Sequence, residues 1–150
     1  MADPTKDFEE LFAFFETHAV KAVIVGAHAV AFHAKPRYTK DLDLLLEPTE
    51  ENARRVLHAL DDFGFGELGI AIADLAVPGR VLQLGQLPNR IDLITSIDGI
   101  TFDEVWRGRV AGRYGSAHVA YIGRNDLIRN KRAAGRPQDL ADLSWLETKP

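Results

Sequence analysis

Apolar positions along this chain follow two rhythms, short unbroken runs and stripes at helical spacing, and turn residues separate them. Asp3-Pro4 has the form of an N-cap and first helical position. Phe8, Leu11, Phe12 and Phe15 then supply a helical stripe, which predicts a helix to about His18. Ala22 to Val25 is a buried-strand run ending at Gly26, and Ala27 to Ala34, small and free of turn signals, predicts a short helix. Lys35-Pro36-Arg37-Tyr38-Thr39 breaks that helix, because the residue before a proline avoids the helical region.

Asp41 to Leu46 is predicted as a second strand. Pro48-Thr49 opens a helix with Glu50 and Glu51 in its first turn, where the dipole favours acids, and Gly64 is its expected stop. A further short helix is expected within 67–77. Val81–Leu84 and Arg90–Ile94 read as strands joined by a turn. Thr101 caps a helix through Trp106, Val110 to Ile122 forms a hairpin turning near Gly115, and helices over 125–133 and 138–146 close the chain. The order αβαβα(α)ββαββαα predicts an α/β (α+β) protein with a mixed sheet flanked by helices.

A length of 150 residues and 46% hydrophobic content suit one domain, 1–150, with a real core. The absence of cysteine excludes disulfides, thiol catalysis, Cys-ligated zinc and iron–sulfur chemistry. No apolar run approaches the roughly 18 residues of a membrane span. The start, MADPTKDFEE, lacks the layout of a signal peptide, so a cytoplasmic protein is expected. The net charge of −4 hides an asymmetry. Residues 1–106 carry 9 Lys/Arg against 18 Asp/Glu, whereas residues 107–138 carry eight basic residues against Asp126 alone. That basic segment is either a solvated face or an anion-binding wall.

Asp41-Leu42-Asp43 is the most informative triplet. Two residues apart on a strand, the carboxylates project from one face, roughly 6–7 Å apart at Cα, while Leu42 and Leu44 enter the core. Such acids repel unless a cation sits between them, and hard oxygen donors suit magnesium or manganese. A strand end with two solvated acids is the alternative. Asp92, between Ile91 and Leu93, is a second acid in an apolar strand. If the two strands are neighbours, three carboxylates converge within about 5–8 Å, the arrangement of a two-metal clamp. A salt bridge from Asp92 to Arg90 or Arg37 is its alternative. Upstream, the Gly26 turn opens a helix whose N–H groups can receive a phosphate.

Gly26-Ala27 after an apolar strand, Arg37-x-Thr39-x-Asp41-x-Asp43, and the later strand aspartate Asp92 resemble the nucleotidyltransferase superfamily, with its DNA polymerase β-like fold. The resemblance is to its small bacterial members, the minimal nucleotidyltransferases and the AbiEii-like enzymes of toxin–antitoxin systems. The stretch from Asp126 through Lys131, Gly135 and Asp139 to Leu143 is similar to the tail of that group. The resemblance covers residues 20 to 146 and implies a nucleotidyltransferase-like mixed sheet with C-terminal helices. It implies that Asp41 and Asp43 hold the Mg2+ (or Mn2+) ions that bind an NTP, and that Asp92 is the third catalytic carboxylate. The Gly26–Ala27 turn would cradle the β/γ-phosphates, with Lys131 neutralising phosphate charge and Arg37 and Thr39 close by. Arg37 bracing a neighbouring acid is equally consistent.

Many active members carry Gly-Ser at the turn; here it is Gly26-Ala27, followed by His28. The serine hydroxyl is therefore absent, with backbone amides and His28 as candidate replacements. His28 as an ordinary core or surface histidine is the competing view, and His33 and His58 are assigned no role. Two functions follow. One is transfer of a nucleoside monophosphate to a hydroxyl on a protein, an RNA such as tRNA, or a small molecule. The other is a nucleotide-binding, antitoxin-like regulatory module that engages a toxin–antitoxin partner protein.

Overall fold

The computed structural model describes residues 4–34, 41–64, 66, 69–85 and 90–148. Asp3, the break at 35–39 with Arg37 and Thr39, and the turn at 86–89 lie outside the described residues. Among the described residues, seven helices and six strands follow the expected order: α1 (Pro4–Thr17), β1 (Ala22–Val25), α2 (Gly26–His33), β2 (Asp41–Leu46), α3 (Glu50–Phe63), α4 (Ala73–Ala76), β3 (Val81–Leu84), β4 (Arg90–Ile94), α5 (Phe102–Arg107), β5 (Val110–Tyr114), β6 (Ala117–Tyr121), α6 (Arg124–Ala134) and α7 (Pro137–Thr148). The fold is mixed α/β, as expected. Among the described residues no helix is long and apolar enough to cross a membrane.

Local chemistry accounts for the ends of these elements. Thr49 caps α3 by accepting from the Asn52 amide (3.2 Å), and Gly64 stops it in the left-handed region. Thr101 and Glu104 form a reciprocal capping box on α5. The helix expected over 67–77 contracts to the single turn of α4. Gly69, at φ +70°, turns the chain ahead of it, and the Asp74 carboxylate accepts the Ala71 amide (2.8 Å) just before the helix.

The six strands form one sheet in the order β3-β4-β2-β1-β6-β5. β2 and β4 run parallel, as do β1 and β6, and the other pairs are antiparallel. Period-2 alternation sorts the side chains onto two faces. Leu42, Leu44, Leu46, Ile91, Leu93 and Ile24 pack on the Phe8, Leu11, Phe12 and Phe15 stripe of α1 and the Ala53, Val56 and Leu60 stripe of α3. Val23, Val25 and Leu45 face the other way, against Ala29 and Val30 of α2, Val105 of α5, Leu127 of α6 and Leu146 of α7. Asp41 and Asp43 share the face of Leu45, so the strand that builds the core also aims two acids towards α2, α6 and α7.

A buried amide ties one end of the sheet together. Asn52 is 1% exposed; its Nδ2 donates to the carbonyls of Lys21 (3.0 Å) and Glu47 (3.1 Å), and its Oδ1 accepts from the Lys21 amide (2.8 Å). These bonds join the start of β1, the end of β2 and the first turn of α3. At the opposite end of the sheet β1 finishes and β2 and β4 begin.

Candidate functional site

Register brings the three sequence-singled acids together. Across the parallel β2–β4 pair, Asp41 lies opposite Arg90, Asp43 opposite Asp92 and Leu45 opposite Ile94. Paired residues in parallel strands point to the same face, so Asp41, Asp43 and Asp92 form one cluster with Arg90 among them. Arg90 Nη2 donates to Asp41 Oδ2 at 2.5 Å, and Arg90 Nε lies 3.2 Å from Asp92 Oδ1. The salt bridge weighed for Asp92 is therefore present, and it coexists with the convergence.

Asp43 stands in a different electrostatic position. Burial first, then the charges of Asp92 and Asp41 and a hydrogen bond with Asp92, push its carboxyl up to about 6; Arg90 offsets this only in part. Burial also raises Asp92, against the pull of Arg90.

Gly26 makes that cluster possible. It begins α2 with φ +67°, and a Cβ there would lie 2.2 Å from Asp43 Oδ2. Only glycine lets the turn approach the carboxylate this closely. The N-cap residue Val25 makes no side-chain cap, so the first-turn N–H groups of α2 are not satisfied by a capping side chain. His28, one turn in, packs its ring against Tyr114 (5.7 Å between centroids) and Phe8 (6.3 Å). Burial lowers its pKa, with Asp41 pulling the other way. It thus sits within the field of the acids, in an aromatic setting.

Gly26, Ala27, Asp41, Asp43, Lys131 and Arg136 help to line one cavity of about 390 Å³. Its far wall is the α6–α7 junction. Lys131 is 6% exposed and held by Asp139 Oδ1 and Asp142 Oδ2, each at 3.1 Å. Its charge is thereby largely matched within the wall. Burial opposes ionisation of Asp139, but Arg136 and Lys131 bonds hold it below the usual carboxylate range. Arg136 donates Nε to Asp139 Oδ2 (2.7 Å), yet its side chain is 76% exposed at the cavity, within the field of Asp43. Of the eight basic residues in 107–138, Arg129, Lys131, Arg132 and Arg136 pair with carboxylates, so the segment is not a uniform cationic wall. A larger cavity, about 640 Å³, lies at the other end of β1, beside Trp106, Arg109 and Lys21, and contains none of the three acids.

No protein-family model matches this chain, and no curated protein matches it significantly.

A divalent cation is the group that the resemblance implies. The donors fit it in chemistry: oxygen only, on one face and in register. In the conformation seen, no three His, Cys, Asp or Glu side chains among the described residues are gathered closely enough to hold a metal ion. The Arg90 guanidinium lies between Asp41 and Asp92, paired with both. Arg90 was weighed in sequence only as a salt-bridge partner of Asp92, and Arg136 was not singled out at all. Arg90 was legible as a residue two places from Asp92 on the same strand; Arg136 depends on α7 folding back on α6.

Proposed function

We propose that the chain is a Mg2+- or Mn2+-dependent nucleotidyltransferase that moves a nucleoside monophosphate from an NTP to a hydroxyl acceptor, releasing pyrophosphate. The observation that carries this is the in-register Asp41, Asp43 and Asp92 cluster beside the glycine turn at Gly26. The three carboxylates would hold the cation, which when bound supplies electrostatic stabilisation to the transferring phosphoryl group. The amides of Gly26 and Ala27 at the start of α2 offer donors to phosphate oxygens without a serine hydroxyl. Arg136 adds an exposed cation to the same cavity. Lys131, paired with Asp139 and Asp142, acts on this reading as a rigid positive element of the wall. Arg37 and Thr39 immediately precede β2 in sequence, on the approach to the acids. We place the reaction in the cytoplasm, where NTP and magnesium are abundant, with a protein, RNA or small-molecule acceptor.

Incubation with each α-labelled NTP and Mg2+ across an acceptor panel tests this. Labelled product is expected, and Asp43→Ala should reduce it by at least about a hundredfold. Absence of both labelling and NTP binding would sink the proposal. Ala27 at the turn and the Arg90 ion pairs favour a second reading, a nucleotide-binding module that regulates a toxin–antitoxin partner without turnover. NTP binding without transfer, together with a stable complex with such a partner, would select it.

A further inference from the structure

Three carboxylates on one sheet face call for positive charge, and Arg90 supplies it. Its fork spans two strands, with Nη2 2.5 Å from Asp41 Oδ2 on β2 and Nε 3.2 Å from Asp92 Oδ1 on its own strand. Both positions follow from register, because Arg90 pairs with Asp41 across the strands and stands two residues before Asp92. The fork vacates this place by a movement of its side chain. Its side chain is 30% exposed, and its long stem lets the charged end reach solvent while the aliphatic part stays on the sheet.

We infer that Arg90 is the resident counter-ion of the carboxylate cluster and gates it, so that a divalent cation enters between Asp41 and Asp92 only as the guanidinium swings out. This inference rests on the proposed cation site and adds a residue to it. A cation and a guanidinium cannot share that space, by size or by charge. Arg90 holds two of the three acids in place. Its release would free a positive charge beside the carboxylate cluster as the cation arrives.

The test is Mn2+ binding, followed by electron paramagnetic resonance and calorimetry, to the wild type, Arg90→Gln and Arg90→Lys at one pH. Arg90→Gln should bind about fivefold to tenfold more tightly, through loss of a competing partly exposed ion pair. Arg90→Lys, a point charge that reaches one carboxylate at a time, should fall between. In 15N-labelled wild type, the Arg90 Nε–H resonance should move to a solvent-like position on saturation with Mg2+. Tighter binding by Arg90→Gln supports the gate even if the wild type binds too weakly to measure. Wild-type binding with equal or weaker binding by Arg90→Gln overturns the gate and leaves the nucleotidyltransferase proposal standing. No binding by any of the three proteins overturns both. Should Arg90→Gln fail to fold, Arg90→Lys and the resonance decide, and a resonance unmoved by Mg2+ overturns the inference.

Discussion

Gly26 and Asp43 constrain each other at the scale of single residues. The turn needs φ +67°, and the carboxylate lies where a methyl group would go. Gly26→Ala should therefore lower stability by about 2–4 kcal/mol in urea denaturation, from left-handed strain and from displacement of Asp43. NTP binding should fall with it. Ala19 offers the opposite case. It ends α1 at φ 55°, a conformation that a Cβ disfavours, while Val20 N closes on Phe15 O at 2.9 Å. Ala19→Gly is expected to raise stability by about 0.5–1 kcal/mol in the same measurement. Glycine preferences are visible along the sequence, but nothing local marks Ala19, because the helix stop there is set by the chain's turn into β1.

At the scale of elements, β2 combines two tasks by alternation. Its Leu42, Leu44 and Leu46 positions build the α1–α3 side of the core, and its Asp41 and Asp43 positions face α2, α6 and α7. A one-residue slip would exchange these faces, so burial of the leucines enforces the placement of the acids. Leu44→Ala should cost about 2–5 kcal/mol and disturb the acids through register. Asn52 performs the equivalent service at the other end of the sheet. Asn52→Ala, which leaves the Lys21 amide and two carbonyls without this partner, should lower stability by about 2–4 kcal/mol, read as a melting shift. The Thr49 cap and the Glu50–Glu51 first turn of α3 were legible in sequence. The three bonds of Asn52 were not, since both carbonyls and the amide it bonds belong to other elements.

Across the whole molecule, proton binding at the site links to stability. Asp43 holds its proton up to about pH 6 in the folded chain, against an ordinary value of 3.8. Folding therefore takes up a proton between these values. The stabilisation is full below about pH 3.8 and is lost as pH rises through about 6. Its size is at most about 3 kcal/mol. In chelator-treated protein, Asp43→Asn should melt several degrees above the wild type at pH 7.5, and the gap should close near pH 4. Saturating divalent cation should raise the wild-type melting temperature at pH 7.5 and leave Asp43→Asn less changed.

The sequence by itself determined the order of elements, the caps of α3 and α5, and the alternation that puts Asp41 and Asp43 on one face. These depend on neighbours along the chain, within reach of propensity and period. Tertiary structure decided that β4 lies parallel beside β2 with Asp92 opposite Asp43, because strand register is set by burial of leucines on both strands against distant helices. It decided that Arg90 bridges two of the acids, and that the fold-back of α7 matches Lys131 with two buried carboxylates while exposing Arg136. Charge counted along the chain showed an acidic portion and a basic segment. Which charges meet was settled only when the sheet and the C-terminal helices closed on one another, since ion pairing depends on distance in space.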